Sequence, residues 1–136
     1  SVFISIQQAW QRQKQTVELI QNARWAMEFM SNEIRGAGQI LIPPPDGGQL
    51  EFRTDPDNNG FPPYRTIDYQ KTGAVLQRRW RQSGGWQPWQ ELANLIINNP
   101  SGNNIFTKNG SLITIELTVE EDSRQYTLKT QVRLRN

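Results

Sequence analysis

The sequence contains no cysteine and no histidine among its 136 residues. The first absence excludes a disulfide framework and any thiolate metal site, although it is silent on the redox compartment. The second removes the side chain most often used as a general base and as a metal ligand. No stretch approaches the ~18 consecutive apolar residues needed to cross a bilayer. An excess of one charge sign is also missing. Fifteen basic residues stand against 13 acidic ones, a formal net charge of +2, so bulk charge does not call for a nucleic-acid partner. There is no glycine-rich phosphate loop after a strand and no serine beside a plausible base. Glu120 and Glu121 fall in a predicted turn, where solvation accounts for them. The chain is therefore expected not to be an enzyme.

What is present is a set of large aromatics: five Trp, five Phe and three Tyr. With 136 residues they suit one domain with one modest core, residues 1–136. Between Phe3 and Arg35 there is neither Pro nor Gly, which predicts one helix of roughly 50 Å. Leu19, Ile20, Ala23, Ala26, Met27, Met30 and Ile34 share one side of it, the stripe a sheet would cover. Gly36 and Gly38 supply its stop, so the helical region is set at 1–38. Ser1-Val2-Phe3-Ile4-Ser5-Ile6 is apolar and runs straight into this pattern, as the end of a longer hydrophobic helix would.

A linking loop is expected at 39–48, because Pro43-Pro44-Pro45 is stiff and Asp46-Gly47-Gly48 turns. The period then changes from 3.6 to 2 in the β region, 49–136. Strands are read at Leu50–Arg53, Tyr64–Gln70 and Ala74–Gln82, while Glu91–Ile97 stays open between a strand and a helical turn. Ile113, Ile115, Leu117 and Val119, then Tyr126, Leu128, Thr130, Val132 and Leu134, mark a long antiparallel hairpin with one buried face. The expectation is an α+β fold, a long N-terminal helix packed on an antiparallel β-sheet.

The run Val17 to Gly38, with its centre Ala23-Arg24-Trp25-Ala26-Met27-Glu28-Phe29-Met30-Ser31-Asn32-Glu33-Ile34-Arg35-Gly36, resembles the first-helix segment of PilW-like minor pilins and J-type minor pseudopilins. Phe52-Arg53-Thr54-Asp55-Pro56-Asp57-Asn58-Asn59-Gly60 is similar to the acidic turn of those families. Glu91-Leu92-Ala93-Asn94-Leu95 is similar to their short Leu-rich stretch, and Val132-Arg133-Leu134-Arg135-Asn136 to their close. The resemblance covers most of the chain. It implies a pilin-like fold and a subunit of a type IV pilus or type II secretion pseudopilus, placed in the cell envelope. Its implied partners are other pilin-like or pseudopilin subunits, and the membrane through a hydrophobic half-helix ahead of this sequence.

Three constellations carry candidate sites. Asp55, Asp57 and Asn59, with Gly60 at the sixth position, match the start of a calcium loop. Thr66 stands where an EF-hand has its bidentate acid, so an ordinary turn is the preferred reading and calcium the alternative. Arg78, Arg79, Trp80, Arg81 and Trp86 form a basic, aromatic cluster able to grip DNA or a surface at a pilus tip. Strand alternation splits these charges between two faces, which favours a packed hairpin with Arg stems over rings. Nucleic acid is accordingly not the expected partner. Finally, Trp25 and Phe29 stack on a flank of the helix, with Trp10 farther round. Phe3, Ile6, Trp10, Trp25 and Phe29 are the candidate subunit interface, the alternative for Trp25 and Phe29 being cover by the 39–48 loop.

Overall fold

A stretch without breakers has nothing to stop a helix until its glycines. In the computed structural model, which describes the backbone at 2–42, 49–55 and 64–134 and side chains at 18–41, 49–55 and 64–134, helix α1 spans Val2–Arg35. Gly36 N donates to Glu33 O at 3.1 Å, tightening the final turn. Leu19, Ala23, Ala26, Met27, Met30 and Ile34 are buried, at the spacing of one helical face. Ile20, expected in the same stripe, is only half-buried.

Five strands follow as a meander: β1 Ala37–Ile42, β2 Gln49–Thr54, β3 Arg65–Thr72, β4 Val75–Arg81 and β5 Gln90–Ala93. Each pairs antiparallel with its neighbour in the chain, in the order β1-β2-β3-β4-β5. Four more strands build a second sheet: β6 Ile96–Ile97, β7 Phe106–Asn109, β8 Leu112–Glu121 and β9 Arg124–Arg133. There β6 and β7 pair with β8, as does β9, again antiparallel.

This corrects the expected α+β architecture, a pilin-like helix on an antiparallel sheet. The described residues form a mostly β fold, one helix with nine strands in two antiparallel sheets. The division has a local cause. Leu95 takes a φ of 59°, which turns the chain out of the first sheet after β5. Ile96 N still donates to Ala74 O at the β3–β4 turn, at 2.9 Å, while Ile96 pairs with Val119 of the second sheet. One residue thus joins the two sheets.

Two further expectations are corrected. Residues 39–42, read as part of a linking loop, complete β1, whose apolar Ile40, Leu41 and Ile42 suit a sheet edge better than a solvated loop; residues 43–48 lie outside the described ones. The hairpin β8–β9 was expected to bury one face. In β8 the other face is closed as well, because the 98–104 segment folds over it and buries Glu116 and Thr118. Asn99 Nδ2 donates to Glu116 O at 3.0 Å, and Thr118 Oγ1 donates to Asn99 Oδ1 at 2.7 Å.

The core joins helix and both sheets into one cluster. Phe52 and Tyr69 of the first sheet lie 5.5 Å apart between ring centroids, and Tyr69 and Phe106 of the second lie 5.9 Å apart. All three rings are fully buried, each such side chain stabilising by about 1.5–3 kcal/mol relative to exposure. α1 packs against β5, β8 and β9.

Candidate functional site

Strands β3 and β4 carry the cluster singled out from the sequence, and their register dictates which side each residue takes. Ile67 pairs with Trp80, Asp68 with Arg79, Tyr69 with Arg78 and Thr66 with Arg81. Because side chains alternate across a sheet, Tyr69, Arg78 and Trp80 face the core, whereas Asp68, Arg79 and Arg81 face outward.

On the inner side the core receives a cation. Arg78 Nε donates to Glu33 Oε1 at 2.7 Å, and its second nitrogen donates to Oε2 at 2.5 Å. Tyr69 donates its hydroxyl proton to Glu33 Oε1 at 2.5 Å. The guanidinium also lies 5.3 Å from the Phe29 ring centroid. Glu33 comes from the last turns of α1, so this trio ties the helix to the first sheet. Burial works to lower the pKa of Arg78, but the hydrogen bonds and charge of Glu33 outweigh it and the net direction is up. Burial, then the Glu33 charge, pushes Tyr69 well above its ordinary value.

On the outer side the cations meet rings. The Arg79 guanidinium lies 4.2 Å from the Trp86 ring centroid and 4.4 Å from that of Trp89, and Arg81 lies 4.7 Å from Trp86. The segment carrying both tryptophans is drawn back along β4 by Gln87 N donating to Trp80 O at 2.8 Å. Arg79 also pairs with Asp68 at 3.2 Å. Asp68 is fully buried although it points away from the core. Burial raises its pKa, against the lowering pull of hydrogen bonds from Gln49 and Arg79. Burial raises Glu51 too, followed by the nearby Asp68 charge. At the end of these strands Arg65 covers Trp80 at 4.4 Å, and Arg53 covers Tyr64 at 5.5 Å.

The five residues proposed for nucleic acid therefore do not converge. Arg78 and Trp80 lie within, and Arg79, Arg81 and Trp86 lie without, the two arginines already stacked on indole. Of the calcium candidates, Asp55 is described and half-buried, while Asp57 and Asn59 lie outside the described residues. Among the described residues no group of three or more acids is placed to hold a metal. Of the interface candidates, Trp25 and Phe29 stack at 5.4 Å. Phe29 is half-buried beneath Arg78, whereas Trp25 remains 56% exposed. Phe3, Ile6 and Trp10 lie on α1, with side chains outside the described ones.

Sequence reasoning missed the Glu33–Tyr69–Arg78 trio and the role of Asp68. The signal was available for the first: Arg78 has the same strand parity as Leu76 and Trp80, and a charge at a core-facing position requires a partner. Asp68 gave no such signal, since its parity puts it on the outer face and its partners, Gln49 and Arg79, come from the flanking strands. Among the described residues no helix is long and apolar enough to cross a membrane. Compared with family models, with curated proteins and with solved structures, the chain matches none.

Proposed function

We propose that this chain is a structural subunit of the cell envelope, a minor pilin or minor pseudopilin that works by assembling with other helix-bearing subunits and catalyses nothing. The observation that carries the reading is Trp25. It is a large aromatic left 56% exposed on the flank of α1, stacked on Phe29 and so held ready for a neighbour. The stacked arginines weigh against a tip module that grips DNA, since Arg79 and Arg81 already have ring partners.

The test is photo-cross-linking from position 21, one turn along α1 from Trp25 and exposed, in cells that produce the filament. The expected product joins this chain to the first helix of another subunit. Trp25→Glu should abolish that product while changing the stability of the isolated domain by less than about 0.5 kcal/mol. Purified filaments or pseudopili without this chain, or cross-links confined to the chain itself, would sink the reading.

A further inference from the structure

We propose that the outer edge of β9 is a docking strand that accepts an extended, acidic segment of a partner protein as an added antiparallel or parallel strand. The inference starts from the hairpin turn. Asp122 and Ser123 have φ of 51° and 64°, the two-residue turn whose closing pair, Glu121 and Arg124, exchanges hydrogen bonds. Pairing is continuous from there to Leu112 and Arg133, and Leu134 N donates to Ser111 O at 2.7 Å at the far end. Alternation then leaves the peptide groups of Gln125, Thr127, Lys129, Gln131 and Arg133 pointing away from β8. On the opposite side of β8 the same parity holds, since Glu116 N and Glu120 N turn to Ile105 O and Leu95 O. Among the described residues no strand pairs with this edge.

Sheet edges are usually blunted by shortness, bulges, proline or charged side chains. The first sheet uses the backbone devices: β1 has two register shifts, and β5 has four residues and a shift beside it. β9 relies on charge alone, which repels a basic strand and leaves the backbone open to an acidic one. It has ten residues, no Pro, no Gly and unbroken register. All five outward residues are exposed.

Charge selects the occupant. β9 contains Arg124, Lys129 and Arg133 and no acid. A groove of about 450 Å³ runs between this edge and α1, and its charged lining is Arg24, Arg35 and Lys129 against Glu28 alone. Among the described residues no ion pair engages Arg24, Lys129 or Arg133. A second copy fits badly. It brings the same three cations and no acid to the edge, so it offers Lys129 and Arg133 no counter-charge in any register. A strand carrying carboxylates gains both the backbone ladder and the pairing with these cations. The proposal does not depend on the filament reading.

The probe is a fluorescein-labelled peptide of about ten residues alternating Thr or Val with Glu, and its twin with Lys in place of Glu. Anisotropy should show the acidic peptide binding at least about tenfold more tightly than the basic one. Gln131→Pro removes one outward N–H and no β8 contact, and should weaken the acidic peptide by about tenfold or more. Lys129→Glu should narrow or reverse the preference. Should Gln131→Pro fail to fold, amide exchange of the unaltered chain decides: the five outward N–H groups slow when the acidic peptide is added. Absence of binding at millimolar peptide, equal binding of the two peptides, or binding with unchanged exchange at those five amides would overturn the proposal. Self-association of the chain through β9 would overturn its choice of occupant.

Discussion

Arg78 and Arg79 are neighbours in one strand, yet they live under different rules. Arg78 points into the core, where a charge persists only with a counter-charge and full hydrogen bonding; Glu33 supplies both, with Tyr69 completing the carboxylate's partners. Arg79 points out, beneath two indoles that exclude water from one side and an aspartate that is itself buried. The inner arginine fixes where the helix sits on the sheet. The outer one holds a loop down. One step of strand alternation decides between these roles, so counting the two as a single basic patch conflates two devices.

The sharpest way to break the comparison is at Glu33. Glu33→Ala leaves Arg78 uncompensated and Tyr69 without an acceptor, and should destabilise the domain by about 3–5 kcal/mol in urea unfolding. Replacing all three together, Glu33→Met with Tyr69→Phe and Arg78→Met, should cost less than Glu33→Ala alone, because no buried polar group is left behind. If the triple variant is the worse of the two, the trio stabilises by itself and the argument from desolvation fails.

On the outer side the expected losses are smaller. Arg79→Ala should cost about 1–3 kcal/mol, as it strands Asp68 and removes the cation between Trp86 and Trp89; a red shift of tryptophan emission should accompany it. The pH response separates the two faces further. The folded pKa of Asp68 is raised, so the folded state binds the extra proton. Its contribution to stability is fully present below the unfolded value and is lost as pH rises through the raised one. Unfolding measured between pH 7 and acid should therefore show a gain from Asp68 as pH falls, and Asp68→Asn should remove that increment. Arg81→Ala, which takes away one half-exposed ring contact, should cost no more than about 1 kcal/mol.

Much of the local structure was legible in the sequence. The break at Glu120–Ser123 between two alternating runs announced the β8–β9 hairpin, although Glu120 and Glu121, read as turn residues, continue β8 and only Asp122 and Ser123 make the turn; the Leu19-to-Ile34 spacing gave the helix its buried face. The parity that separates Arg78 from Arg79 could also be read, and it already argued against a single nucleic-acid surface. What could not be read was long-range. The division into two sheets turns on a left-handed Leu95, a residue with no preference for that conformation. The burial of Glu116 depends on Ser101 and Asn103 of a polar segment that carries no apolar signal. Asp68 is fully buried on the outer face, held by Gln49 and Arg79 of the flanking strands, and Arg79 itself lies against two tryptophans of a segment drawn back by one backbone hydrogen bond.

The meander of the first sheet has a kinetic consequence. Every pairing from β1 to β5 joins neighbours in the chain, so each new strand closes only a short loop before it is rewarded with hydrogen bonds. The second sheet holds two equally local hairpins, β7–β8 and β8–β9, but Ile96 must find Val119 across the whole of β7 and most of β8. Glu33 must likewise find Arg78 across 45 residues. The sheets can zip strand by strand, whereas the junction between them and the seating of the helix are the encounters that set the pace of folding.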